Sequence, residues 1–564
     1  MKKYAFLPIV FALLGCGNHS LENLLDCSDI ECLLDGGTEI LSLTGYLASK
    51  ENLSNIPQDI SVSNISTSLP SSYSLENKFP PVGDQEQYGT CVAWAVGYGL
   101  KTALNGMEKG WSASDLSKSE NQTSPKDLWF AINSTDKGPG CGGTSFEAAL
   151  DALISKGAGS LSSVPYKDMG SCSGASTGYA NNKLANYRKI GYNNTLDGGR
   201  GTDGMTADNF KSYLSQGRPI VFGAKLGDRF MRWNSSASIS SDTYNNPGMQ
   251  HAYHAMVLVG YDDSKNAFKV RNSWGTDWGD KGNIWVDYDF FLKNFAFAAF
   301  VAQNPPPPVD EEVKEDNLLE GYDLLAAFAM DELDTEKNPS GDPRKRGFSY
   351  DVYNNGKNPI LASQKWTILY MYYDAFDANK YGIIYEDYYT NEYEELGSYG
   401  KYTETKALAG GIWNHVNVQP GKKVGEVEFG SQGFYIPYEM PRITGKYYLV
   451  VYADAYEKIR ETNEDNNFYF IGAEGGKPLE FVNGVMQNKP ANAAAKVLAK
   501  EGGKIPRALA KSVQEIGGSA NAYTPAEIKI LISQSKKNGT LAKKIVQYRE
   551  SEKKPVKKRR AVND

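Results

Sequence analysis

The sequence predicts an α+β chain built from more than one unit, and three observations carry that reading. At 564 residues it exceeds one ordinary domain, with about three expected. Its apolar period changes from helical spacing after residue 91 to short apolar runs beyond residue 215. A proline run at 305–308 then sets off a long stretch dense in tyrosine. Apolar residues make up 41% and charged residues 23%, the balance of a globular protein. A net charge of -7 offers no argument for nucleic acid as a partner.

Lys2 and Lys3 precede an apolar stretch from Tyr4 to Leu14, which reads as an export signal too short to span a bilayer. No later segment reaches 18 uninterrupted apolar residues, so no membrane-spanning helix is expected. Residues 17–68 show no strong period and are expected to be a tether or short pro-segment. They contain no long helical pattern, so the sequence gives no support for an autoinhibitory role. Residues 69–303 form the first compact unit. Thr90-Cys91 opens a helix through Val92, Trp94, Ala95, Tyr98 and Leu100, with a stop expected at Asn105-Gly106. A second helix is expected over 146–155, closed by Lys156-Gly157. Strands follow at 219–224, 255–259, 267–270 and 284–286.

Residues 304–316 read as a Pro-rich acidic linker in extended polyproline II form. Residues 317–475 carry strand patterns such as 447–452, for which a β-sandwich is the natural fold. Their many tyrosines are expected to pack strands rather than bind sugar. Residues 476–564 shift to Ala, Lys and Gly and read as a helical or disordered basic tail. Thr524-Pro525 starts a helix there and Asn538-Gly539 ends it. The final run, Lys553 to Arg560, is expected to be disordered.

The residues that carry chemistry lie in the first unit. Gln85 precedes Cys91 by six positions, His254-Ala255 follows far downstream, and then comes Asn272-Ser273-Trp274-Gly275 with Trp278-Gly279. A thiol nucleophile needs a base, a group to orient that base, and donors for an oxyanion. The chain has only four histidines, His19, His251, His254 and His415, so few candidates compete for the base. On a strand His251 and His254 would face opposite sides, which makes His251 a loop or rim residue. Cys91 at a helix start gains positive potential from unpaired N–H groups, and a His254 imidazolium beside it would favour a thiolate near neutrality.

This constellation resembles the papain-like (C1) cysteine peptidases over residues 69–303. Val164-Pro165-Tyr166 and Gly140-Cys141-Gly142-Gly143 also match family landmarks in order. The resemblance implies a helical lobe and a β-barrel-like lobe with the site in the cleft between them. It implies a thioester acyl-enzyme on Cys91, with His254 as base and Asn272 fixing the imidazole. Trp274 would shield their bond, and Gln85 would donate to the oxyanion. Gly142 and Gly143 would admit the substrate backbone, and Tyr253 would reshape the cleft. No metal or other cofactor is implied. The departures are Val92, where Trp is usual, and Tyr88 and Ser134, where Cys is usual. With Cys91 kept as the nucleophile, Cys141–Cys172 and Cys27–Cys32 are the expected disulfides in an oxidising compartment. Cys27 and Cys32 could equally be free thiols.

Leu13-Leu14-Gly15-Cys16 resembles a bacterial lipobox, which implies lipidation of Cys16 and a membrane partner through that anchor. A chance Cys in an ordinary signal peptide is the alternative. The implied location is the bacterial cell envelope, at the outer membrane or released by processing. The stretch from Ala453-Asp454 to Asn466-Asn467 resembles the last hairpin of bacterial adhesion-type (CARDB-like) immunoglobulin-like domains. That unit is expected to be accessory, with a cell-surface or matrix ligand. Asp454, Glu461, Glu464 and Asp465 do not have the spacing of a known calcium loop and read as a solvated acidic turn. Together these readings describe an exported endopeptidase acting on proteins or peptides. The alternatives are an inactive peptidase-fold adhesin, or an envelope transpeptidase or amidase.

Overall fold

The chain from Cys91 onward is helical because it is apolar on every side, and such a helix belongs in a core. The computed structural model of the protein describes residues 44–61, 69–305, 320–330, 343–389, 434–488 and 521–552, apart from 171, 177, 198–200, 245–251, 362, 363, 365, 465, 466, 474 and 475. Cys16, Cys27, Cys32, His251, the linker beyond Pro305 and the terminal basic run lie outside these residues, and so do the expectations for them. The central helix has three parts: Cys91–Ala93 is α, Trp94–Lys101 is π, and Thr102–Lys109 is α again. Everything from Cys91 to Leu100 is buried. The helix runs past the expected stop at Asn105-Gly106. Gly106 is there for packing: a Cβ on it would lie 2.8 Å from Leu116 Cδ2. The helix Phe146–Ser155 packs in the same core, with the Ser145 hydroxyl accepting from the Ala148 N–H at its start.

Nine strands make the first sheet: β1 (Ser72–Ser74), β2 (Asn186–Asn193), β3 (Thr202–Asp203), β4 (Ile220–Leu226), β5 (Ser238–Ile239), β6 (Ala252–Asp262), β7 (Ala267–Arg271), β8 (Asn283–Asp287) and β9 (Ala296–Gln303). Their order is β3-β2-β9-β4-β6-β7-β8-β5, with β1 also on β6. β2 and β9 pair from Asn186↔Gln303 to Tyr192↔Ala298 and were not foreseen. β9 is buried along its whole length except Gln303, so it shows no polar alternation to read. The long β6 sits near the middle of the sheet and carries His254 opposite Ala224 of β4.

The second unit has β10 (Leu324–Met330), β11 (Lys345–Asn354) and β14 (Phe434–Glu439) in one sheet. The other holds β12 (Trp366–Asp374), β13 (Tyr381–Tyr389), β15 (Gly445–Tyr452), β16 (Phe468–Ile471), β17 (Leu479–Val482) and β18 (Val485–Met486). Leu324 and Leu325 share one apolar core with Trp366, Ile368, Leu449, Val451 and Tyr469. The unit extends beyond residue 475, since β17 and β18 pair onto β15. Asp454, read as part of a solvated turn, is fully buried, because its carboxylate accepts from the N–H groups of Lys458 and Ile459.

The region read as a tail is a packed helical hairpin within 521–552. Helix Pro525–Lys537 starts in a capping box between Thr524 and Glu527, and Thr540–Glu552 follows it. Ile528, Leu531, Ile532, Leu541 and Ile545 cover Leu369, Met371, Tyr448, Val450 and Phe470 on the other face of the six-stranded sheet. That explains why 447–452 is apolar throughout: both faces of β15 are covered. The hairpin also reaches the first unit. Arg188 of β2, 2% exposed, donates to both carboxylate oxygens of Glu527 at 2.8 and 2.6 Å and to Ala522 O at 3.0 Å.

Candidate active site

Cys91 is the first residue of the central helix, with Thr90 as its cap, and it is the free cysteine among the described residues. Its sulfur accepts from the backbone N–H groups of Ala255 and Val92. Ala255 follows His254 on β6, so the thiol lies against the strand that carries the imidazole. His254 and Asn272 are joined by a 2.7 Å hydrogen bond between Nε2 and Oδ1. Asn272 Oδ1 is an acceptor here, since it also takes the Ser273 N–H at 2.8 Å. Nε2 therefore bears the proton, and Nδ1 keeps the lone pair a base requires. Nδ1 is buried and has no hydrogen-bond partner. The Trp274 ring lies 4.7 Å from the imidazole, centroid to centroid, and is backed by Phe230 and Trp278. It covers the His254–Asn272 pair.

Gln85 is fully buried and held through both its backbone and its side chain. Its backbone N–H donates to Ser273 O at 2.8 Å, its Oε1 accepts from Ser273 Oγ at 2.7 Å, and its Nε2 donates to Tyr88 O at 2.8 Å. One amide hydrogen is thus spent on the loop before Cys91. Tyr166 braces the same loop. Its hydroxyl donates to Gln85 O at 2.9 Å and lies 2.7 Å from Thr90 Oγ1. The sequence reading gave no role to Ser273 or to the Tyr166 hydroxyl. Both sit inside quoted motifs, but their contacts span 188 and 81 residues and have no local signal. Cys141 and Cys172 are disulfide-bonded and sit beside Gly142 and Gly143. Among the described residues no group of three or more His, Cys, Asp or Glu side chains is placed to hold a metal ion.

The cleft is filled by the chain itself. The N–H groups of Gly45 and Tyr46 donate to Tyr253 O at 3.3 and 3.1 Å. Leu47 N–H donates to Thr144 O, and Thr144 N–H to Gly45 O, both at 2.9 Å. This strap runs parallel to residue 144 and is squeezed between Gly89 and Gly143. A Cβ on Gly45 would fall 2.1 Å from Gly89 O, and one on Gly143 would fall 2.4 Å from Gly45 O. The segment expected to be a tether or short pro-segment, for which the sequence supports no autoinhibitory role, therefore packs against Gly89, Gly143 and Tyr253 beside the site. Glu51 anchors it by accepting from the Phe146 and Glu147 N–H groups at a helix N-terminus. Farther on, Asp59 pairs with Arg218 at 2.8 Å and Gln58 O accepts from Tyr523 OH at 3.0 Å.

Closure changes the electrostatics expected from the sequence. Cys91 and His254 are both 0% exposed. Burial pushes the thiol up to about 12, against the pull of the neighbouring N–H groups. Burial also takes the imidazole down to about 4, against the Asn272 hydrogen bond. Burial thus works against a thiolate beside an imidazolium, because an apolar surround disfavours charge on either partner.

Residues 69–292 match the family model described as papain family cysteine protease. Cysteine proteinase 2 of Entamoeba histolytica is 32% identical over 216 residues, which is 37% of this chain and 60% of that protein. Cathepsin K of Gallus gallus is 29% identical over 209 residues, 36% of this chain and 54% of its own length. The chain thus spans at most 60% of these curated relatives. The crystal structure of xylellain, a cysteine protease from Xylella fastidiosa, aligns with 47% of this chain and 97% of that one, at 19% identity and a TM-score of 0.36. Over residues 69–292, then, the chain is similar to the papain family of cysteine proteases.

Proposed function

We propose that this protein is a cysteine endopeptidase that cleaves protein or peptide substrates through a Cys91 thioester, and that it is latent while residues 44–47 fill its cleft. The observation that carries the reading is the His254 Nε2–Asn272 Oδ1 bond, which leaves Nδ1 basic on the strand against which the Cys91 sulfur rests. Once the strap leaves and water enters, the proton passes from Sγ to Nδ1. The thiolate then attacks the scissile carbonyl carbon. The resulting oxyanion is met by the Cys91 N–H and the Gln85 amide. Collapse breaks the C–N bond, and the imidazolium returns its proton to the departing amine. Water then loses a proton to Nδ1 and attacks the thioester, which releases the carboxylic acid and restores the thiol.

The export signal and Cys16 support an envelope-anchored enzyme. The motif at 453–467 supports an immunoglobulin-like accessory unit that binds a surface ligand. The test is turnover of a mixed peptide library by the full chain with Gly45→Val, which loosens the strap, compared with the same chain carrying Cys91→Ala. Cleavage is expected only with Cys91 present. Equal cleavage by both chains would end the reading.

A further inference from the structure

Three parts of the chain meet at Tyr523, a fully buried residue just before the C-terminal hairpin. Its hydroxyl donates to Gln58 O of the strap at 3.0 Å, and its backbone N–H donates to Ala375 O, directly after β12, at 2.8 Å. The Arg188 guanidinium of β2 lies 5.8 Å from its ring centroid. Between Leu47 and Pro57 the strap has two single turns, Ala48–Lys50 and Leu53–Asn55, so its order comes from what it touches. Beyond Glu51 it is attached along β2. Asp59 N–H donates to Lys189 O at 2.8 Å, Lys189 N–H to Pro57 O at 2.9 Å, and Gln58 Nε2 to Ile190 O at 2.6 Å. Arg188 is the neighbouring residue on that strand, so the Arg188–Glu527 pair grips β2 where the strap joins it. Ile60 then packs against the core that the hairpin shares with the six-stranded sheet.

We propose that the C-terminal hairpin is a lock on latency: seated on the six-stranded sheet it pins residues 57–60, and drawing it away from β2 loosens the strap and opens access to Cys91. The proposal rests on the latent-peptidase reading above and adds its regulation by the second unit. Cys91 meets solvent in the fraction of chains whose strap has left the cleft. Each contact removed at 57–60 raises that fraction, because the docked strap loses the contact and the released strap never had it. One hydrogen bond is worth about two- to tenfold in the fraction.

The experiment is iodoacetamide labelling of Cys91 in the full chain at pH 7, read beside limited proteolysis and turnover of a mixed peptide library. Tyr523→Phe removes the hydroxyl held by Gln58 O and should raise the labelling rate about two- to tenfold. Arg188→Glu and Glu527→Arg each set like charges against one another and should raise it at least about tenfold. Combined, they restore opposite charges and should label at least about threefold more slowly than either alone. New proteolytic cuts are expected within 44–61 and not in β6. If the charge variants do not fold, Tyr523→Phe decides alone. Unchanged labelling in Tyr523→Phe, or faster labelling with residues 44–61 as protected as in wild type, overturns the lock. Faster labelling in the charge variants with no recovery in their combination marks general loosening and also overturns it. Faster labelling with the expected recovery but no peptide cleaved leaves the lock standing and overturns the peptidase reading.

Discussion

Replacing Gly45 with Val should turn Cys91 from a hidden thiol into a reactive one. The strap has no room for the change: a Cβ at 45 meets Gly89 O at 2.1 Å, and Gly45 holds a φ of 151°. Two extra methyl groups would force the segment out of the cleft. Alkylation proceeds through the thiolate. With the thiol pushed up to about 12, the thiolate fraction at pH 7 is roughly 10⁻⁵. An ordinary cysteine near 8.5 has roughly 3 × 10⁻² in that form, so the closed chain should react about three-thousandfold slower. A thiol raised by burial stays neutral below its pKa, so the closed-form rate should climb about tenfold per pH unit through pH 10. The assay is iodoacetamide labelling of the full chain, followed by mass spectrometry of the Cys91 peptide to separate it from the other thiols. Gly45→Val should label at least about 100-fold faster at pH 7, with a plateau once solvated His254 and the helix start hold the thiolate. If wild type and variant label at the same rate, the strap does not control the thiol and the reasoning fails.

Three further outcomes follow from the same structure. Burial raises Glu51 from 4.5 to about 8, and Glu147 and Asp151 beside it add to the rise. The docked strap therefore holds a proton that the released strap gives up, so docking is strongest below the ordinary carboxyl range and weakens as pH climbs through 8. Limited proteolysis of residues 44–61 should accelerate between pH 5 and 8 in wild type and stay flat across that range in Glu51→Gln; a flat wild-type profile would contradict this. Gln85→Ala should lower kcat of the opened enzyme by about 100- to 1000-fold with little change in KM, and a loss confined to KM would rule out the oxyanion role. Glu527→Ala strands Arg188, which is 2% exposed, and should cost about 3–5 kcal/mol in urea unfolding, with much of the loss restored by adding Arg188→Leu. A cost near zero would show that the hairpin does not hold the two units together.

The chain displays some of this on its own. Helix starts and stops are local, so Thr524-Pro525 and Lys156-Gly157 could be read where the structure has them. Gln85, Cys91, His254 and Asn272 could be singled out as candidates because residue types suited to a nucleophile, a base and its orienter stand in that order along the chain. Local signals failed where burial was two-sided. β9 is covered on both faces, so the alternation that marks a strand is missing there. Gly106 looked like a helix end because a glycine required by a neighbour's side chain cannot be told from a terminator without that neighbour.

Folding alone decided what state the site is in. The pairing of Gly45 and Tyr46 with Tyr253, the anchoring of Glu51 on a helix 95 residues away, and the packing of Ile60 against the core that the six-stranded sheet shares with the C-terminal hairpin all join segments far apart in the chain. The sequence lists the groups that can react. Their ionisation depends on the dielectric around them, which distant segments set by covering or uncovering the cleft.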